Sequence, residues 1–284
     1  MSKVTIGLDI AKSVFHLVFM NQSGRVLRKK KLRRHQMLSY FSQLEPCIVV
    51  MEACGSCHYW CRELTKAGHE VKAIAPQYVV AYRKGNKHDY NDAEAIAEAS
   101  QREGMRFVPF KSQDQQDIQL MHRIRERMIA QQTALSNQIR GLLSEYGIVY
   151  ARGVATLVKE LPLTLEEADN GLSMLARRQF QGLLNDLREL REHIKEMDKE
   201  LKAFSQSQPV CERLMSMTGI GPLIATALYA GIGQGQAFNS GRHLAAWLGV
   251  VPKQHTTGDN PRLLGISKRG NTYLRTQIIN GARA

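Results

Sequence analysis

KVTIGLD at residues 3–9 and SVFHLVFM at 13–20 decide the fold. Both stretches are rich in β-branched and large apolar residues, and the short gap between them suits a tight turn, so they predict two paired strands. Asn21-Gln22-Ser23-Gly24 is turn chemistry, and Arg25–Leu32 then continues as the third strand of a meander. A helix fits His35–Leu44. CIVVM at 47–51 is a wholly apolar run of the kind buried inside an α/β sheet. Next come a helix over Gly55–Ala67, a strand over Glu70–Ile74 ended by Pro76, and a helix over Asn91–Arg102. This last helix carries acids in its first turn, where the helix dipole favours them. Antiparallel strands followed by alternating helices and strands predict a mixed α/β sheet covered by helices.

Downstream the pattern changes period. Residues 113–146 place apolar side chains at Ile118, Met121, Ile124, Met128, Leu135, Ile139, Leu142 and Tyr146. Leu183, Leu187, Leu190, Ile194, Met197, Leu201 and Phe204 alternate steps of four and three, the spacing of a coiled-coil seam. Gly147–Gly171, with Pro162, interrupts the two helices. Either a long helical hairpin or a dimer-forming coiled coil fits. From about Gln206 the composition shifts again, and Leu214–Leu223 reads as helix, glycine turn, helix around Gly219 and Gly221. A helix-hairpin-helix turn of this kind can present backbone N–H groups to a phosphate, and glycine permits the close approach. The expected domains are therefore 1–112, 113–205 and 206–284, α/β followed by all-α.

Charge narrows the partner. The 284 residues carry 39 Lys+Arg against 26 Asp+Glu, a net charge of +13, which favours a polyanion because each neutralised phosphate releases counterions. Residues 206–284 hold eight basic residues against two acids, Glu212 and Asp259. The densest basic run, RVLRKKKLRR at 25–34, serves equally as protection of a sheet edge or as a nucleic-acid contact. No apolar run approaches the roughly 20 residues of a membrane span, and the N-terminus has no signal-peptide pattern, so a cytoplasmic protein without a membrane partner is expected. Five cysteines, an odd count, suit reduced thiols. Cys54, Cys57, His58 and Cys61 share a helical face, but a second ligand pair is absent, so they are expected to pack in the core rather than bind zinc.

Four acids stand where chemistry on phosphates would want them. Asp9 ends the first strand and Glu52 ends CIVVM, each following apolar residues where an unpaired charge is costly. Asp89 and Asp92 precede or open the helix near Asn91, spaced to face the same way. Carboxylates gathered together repel one another and take up protons unless a hard cation such as Mg²⁺ or Mn²⁺ joins them. Two such ions about 4 Å apart can activate an attacking oxygen and stabilise a leaving one.

Six segments carry a resemblance that covers nearly the whole chain: GLDIAK (7–12), VVMEACGS (49–56), KHDYNDAEAIAEA (87–99), SMTGIGPLIA (216–225), FNSGRHLAAWLGVVPKQHTTG (238–258) and LLGISKRGNTYLR (263–275). Together, in this order, they resemble the DEDD transposases of the insertion-sequence 110 family, including the branch related to the Piv DNA invertases. The resemblance implies an N-terminal RNase H-like (RuvC-like) domain, a coiled coil and a C-terminal transposase domain. It also implies a metal-binding tetrad of Asp9, Glu52, Asp89 and Asp92, a homo-dimer or tetramer, double-stranded DNA as substrate, and a structured guide RNA from the element. The family's nucleophile is a serine in the polar stretch after the Leu-Gly-x-x-Pro element. Here that stretch reads His255-Thr256-Thr257-Gly258, so Thr256 or Thr257 takes its place or the copy is impaired. Ser267 is a minor alternative, better suited to capping a helix or to contacting the nucleic-acid backbone. Lys253, Arg262, Lys268, Arg269 and Arg275 are expected to hold phosphates. Family members usually run beyond Ala284, where this sequence stops within an expected helix. Two other readings fit the same residues: a metal-dependent junction nuclease using water, and a decayed nucleic-acid-binding relative without catalysis.

Overall fold

A computed structural model describes residues 4–85, 88–258 and 260–283; Lys3 of the first expected strand, Lys87, Asp259 and Ala284 lie outside them. The chain divides into two compact units, Met1–Ser112 and Gln113–Ala284.

The first unit is a five-stranded sheet with helices on both faces. Strands β1 (Thr5–Ile10), β2 (Val14–Met20) and β3 (Val26–Arg33) form the antiparallel meander, and β4 (Ile48–Glu52) and β5 (Glu70–Ile74) add in parallel, in the order β3-β2-β1-β4-β5. Side-chain alternation sorts the strands into two faces. Ile6, Leu8, Phe15, Leu17, Val49 and Met51 point to one core, covered by α1 (Met37–Ser42) and α2 (Cys57–Lys66) through Phe41, Trp60 and Leu64. Of the expected cysteine face only part lies in this core: Cys57 Sγ is 3.7 Å from Cys61 Sγ, whereas Cys54 is exposed ahead of α2 and His58 turns away to accept a hydrogen bond from the Lys111 backbone.

The opposite face is covered by α3 (Pro76–Val79) and α4 (Asp89–Ser100), which bury Val50, Ile74, Ala95, Ile96 and Ala99. Here α4 crosses β1, β2 and β4. Its approach is set by Gly7, where a Cβ would overlap the carbonyl oxygen of Ala93 and the backbone nitrogen of Ala97. The alanines at 93, 95, 97 and 99 let helix backbone lie directly on strand backbone.

The second unit is helical with one hairpin. The arms α5 (Gln113–Ser144) and α7 (Met174–Ser207) pack together within the chain. Leu184 and Leu187 meet Ile139 and Leu143 at one end, and Leu201 meets Ile118 at the other. Arg125 holds Asp198 across the pair, with Nε to Oδ1 at 2.6 Å. The expected interruption between the arms holds a helix of its own, α6 (Val154–Glu166), with Pro162 inside it. An interior proline costs a helix about 3 kcal/mol; burial of Leu157 and Leu161 against the α7 side chains offsets it. The segments α8 (Pro209–Met215), α9 (Pro222–Ile232), α10 (Gly241–Leu248) and α11 (Thr272–Gly281) complete the unit, α9 packing on α5, α7, α8 and α11. His122 on α5 stitches them: its Nδ1 is 2.9 Å from the Tyr273 hydroxyl and its Nε2 3.0 Å from Thr226 Oγ1. A departure from the all-helical expectation is an exposed antiparallel hairpin, β6 (Pro252–Thr257) and β7 (Asn260–Ile266). No helix among the described residues is long and apolar enough to cross a membrane.

Candidate active site

The face under α4 gathers the acids. Asp9 follows Leu8, which registers with Met51, so on parallel neighbours Asp9 and Glu52 fall at the same level at the strand ends. Helix α4 begins two residues earlier than its sequence suggests, which puts Asp89 in its first turn together with Asp92. His88 caps that turn, its side chain accepting from the Tyr90 N–H. The four acids thus come from β1, β4 and α4.

One member was not foreseen. His16 on β2 registers opposite Asp9 and shares its face. Ligand atoms of Asp9, His16 and Asp89 all lie within 4.8 Å of one another, the single group of this kind among the described residues. Glu52 and Asp92 stand outside this tight trio but close enough to act on its charge. Burial first, then Asp92, Asp89 and Glu52, push the Asp9 carboxyl up to about 6. Burial also lowers the His16 imidazole below its usual value, against the opposing pull of Asp89. Arg83, also unforeseen, forms an ion pair with Asp92, and Lys29 of β3 reaches Glu94 of α4 at 3.0 Å. The sheet's own period could have revealed His16, since Asp9 and His16 each sit between inward-facing apolar neighbours.

The donors suit a divalent cation. Carboxylates and an imidazole nitrogen converge, and the raised proton affinity of Asp9 is the deficit that a bound cation removes.

The other expected residues lie in the second unit. Thr256 and Thr257 are exposed at the end of β6, paired with Pro261 and Asn260, and Gln254 Nε2 donates to Thr256 Oγ1 at 2.8 Å. Lys253 and Arg262 are exposed on the same hairpin, and Lys268 and Arg269 on the loop beyond it. Gly219 lies in the expected turn with positive φ, but a Cβ there would overlap the carbonyl of Gly281, so its open side receives the chain's own α11; nothing crowds Gly221. Two expectations need correction. Arg275 is buried, and its guanidinium donates to the carbonyls of Arg269 at 2.9 Å and Leu248 at 3.2 Å, which locks the loop to α10 instead of facing a phosphate. Ser267 caps no helix: Asn271 caps α11, and the Ser267 hydroxyl is buried without a hydrogen bond.

Comparison with known proteins gives a consistent picture. The sequence matches a DEDD transposase family of IS110 type over residues 6–148 and the transposase family IS116/IS110/IS902 over residues 211–284. It is 45% identical to a probable family 20 transposase of Pseudomonas aeruginosa, over 98% of this chain and 83% of that protein. To the transposase for insertion sequence element IS1111A of Coxiella burnetii it is 44% identical, over 98% of this chain and 77% of the relative. A more distant match is the pilin gene-inverting protein of Moraxella bovis, 25% identical over 91% of this chain and 75% of the other.

Proposed function

Since the chain belongs to the IS110 family of transposases, we propose that it cuts and exchanges DNA strands at the ends of an insertion element through a divalent-metal site built on Asp9, Glu52, Asp89 and Asp92. The observation that carries this reading is the proton affinity of Asp9, raised to about 6 beside three further carboxylates on one face of the sheet. The strand order, with β1 central between an antiparallel meander and parallel β4, supports an RNase H-like (RuvC-like) assignment of residues 1–112.

Mg²⁺ or Mn²⁺ in this site would supply Lewis acidity and neutralise phosphate charge. Asp9, Glu52, Asp89 and Asp92 would hold the cation, and Asp89, at the start of α4, is exposed enough to meet a substrate. Thr256 or Thr257 serves as the hydroxyl nucleophile: its oxygen bonds to phosphorus, the bond to the departing strand end breaks, and the hydroxyl proton passes to a base. Gln254 donates to Thr256 Oγ1, which leaves the threonine proton free to depart. The extra methyl of threonine fixes χ1 and crowds the attack relative to serine. Lys253, Arg262, Lys268 and Arg269 contact backbone phosphates, aided by the turn at Gly221, which nothing crowds. A structured RNA from the element selects donor and target by pairing while the protein reads backbone and shape, a division of labour suited to a net charge of +13. The protein works in the cytoplasm as a homo-dimer or tetramer, for which the half-buried Leu190, Ile194 and Met197 of the α7 coiled-coil seam offer a surface.

The test is cleavage of element-end DNA with flanking RNA and Mg²⁺, resolved on a denaturing gel. A covalent protein–DNA adduct is expected from the natural protein, absent in Asp9→Ala and stronger in Thr256→Ser or Thr257→Ser. Free ends without adduct would make the protein a junction nuclease using water. The threonines favour one second reading, a binding-only relative: an adduct appearing only after Thr→Ser would establish it.

A further inference from the structure

Of the buried histidines, His69 and His122 have both ring nitrogens engaged. His69 meets Cys47 through Nδ1 and the Phe41 carbonyl through Nε2 at 2.9 Å, and His122 bridges Tyr273 and Thr226. His16 is different. It is 7% exposed, and its Nδ1 is buried without a hydrogen bond. Asp89 Oδ2 stands 3.3 Å away, out of hydrogen-bond alignment. A core imidazole normally finds partners for both nitrogens, because an unmet polar atom keeps its full desolvation cost. This one is aimed at the carboxylates of Asp9 and Asp89 instead.

The ring is also held in place. The Tyr90 ring packs edge-on against it, with centroids 4.7 Å apart, and Tyr90 follows directly on Asp89. The backbone register of β1 and β2 fixes its level opposite Asp9. A rigid nitrogen donor, desolvated and pointed at two carboxylates, has the form of a ligand rather than of a packing residue.

We propose that His16 is a nitrogen ligand of the carboxylate site, so that the site prefers Mn²⁺ to Mg²⁺. Imidazole nitrogen suits first-row transition cations, whereas an all-oxygen set suits Mg²⁺. The inference rests on the metal reading of Asp9 and its neighbours proposed above, and it adds a donor from β2 and a selectivity to it. Arg83 pairs with Asp92 and Lys31 registers beside His16 on β3, so cations flank the site while His16 adds a neutral donor next to Asp9 and Asp89.

The experiment uses the full chain with Mn²⁺ alone. Pulsed EPR reads ¹⁴N modulation on bound Mn²⁺, and calorimetry reads affinity for Mn²⁺ and Mg²⁺. Natural protein should show ¹⁴N coupling that disappears in His16→Gln and persists in His88→Gln, the other nearby imidazole. Mn²⁺ affinity should fall ~10-fold or more in His16→Gln. His16→Asp should restore binding with the preference turned towards Mg²⁺, a reversal that simple loss of packing cannot produce. Bound Mn²⁺ without ¹⁴N coupling in the natural protein would overturn the inference and leave the carboxylate site standing; this arm needs no variant to fold. Coupling that survives in His16→Gln would also overturn it. Equal Mn²⁺ affinity in natural protein and Asp9→Ala would overturn the metal reading itself.

Discussion

Two histidines, one in each unit, show how differently a fold treats a buried imidazole. His122 joins α5 to α9 and α11 with both nitrogens bonded, and burial lowers it to about 4, so it stays neutral and acts as a structural tie. His16 is also buried, though nearer the surface, yet keeps an unmet nitrogen beside a carboxyl whose own proton affinity is raised. At His122 the polar groups are matched to one another. At His16 one ring nitrogen is left unmatched. Unrelieved polar groups gathered at one place are costly to stability, which is why such places draw attention as sites of chemistry.

The strongest way to break this contrast is through the helix that completes the first site. Gly7→Val should cost ~3 kcal/mol by thermal or urea unfolding, because α4 must lift off β1. It should also abolish Mn²⁺ binding, since Asp89 and Asp92 would move with the helix. An unchanged melting temperature would mean that α4 does not rest on Gly7. His122→Ala should cost about 2 kcal/mol, leaving Tyr273 and Thr226 without their shared partner. His16→Gln, by contrast, should cost about 1 kcal/mol; a loss equal to that of His122→Ala would erase the distinction between the two rings.

Acid separates the two units with opposite signs. His122 has a lowered folded value of about 4 against 6.5, so the unfolded chain binds more protons between these limits. Its contribution is full above pH 6.5 and is lost as pH falls towards 4, on the order of 2 kcal/mol. Asp9 is raised from 3.8 to about 6, so here the folded chain binds more protons and stability falls as pH rises through that window. Because Asp9 is only half-buried, solvent screening reduces this effect to about 1 kcal/mol. Urea unfolding without metal across pH 4–7 should therefore show a steeper gain with pH in Asp9→Asn than in natural protein, and a shallower one in His122→Leu. Identical slopes in all three would remove both assignments.

The first unit was legible because strand period is strict. Alternation in KVTIGLD and SVFHLVFM sorts inward from outward residues, and CIVVM announces a strand buried on both faces, so Asp9 and Glu52 were visible as charges at strand ends. His16 escaped because a single polar residue in an apolar strand looks like tolerated core; the strand period sets its face, and the register with Asp9 gives it a neighbour. Arg83 escaped because its partner lies on a helix that packs back across a turn. In the second unit, α6 was hidden by Pro162, whose local preference is overridden by buried leucines. The hairpin at 252–266 was hidden because its strands are exposed on both faces and carry no alternation. Arg275 appeared as one more cation in a basic tail; what commits it is the pair of backbone carbonyls that the fold brings around it.

Gly7 has a consequence for how copies of such a gene age. Every missense change at a glycine codon adds at least one carbon atom, and at residue 7 that carbon has nowhere to go. The position therefore has no neutral neighbours in sequence space: drift at residue 7 is costly from its first step. Among duplicated copies accumulating random changes, a lost glycine here would mark a weakened copy even where all four acids are still spelled correctly.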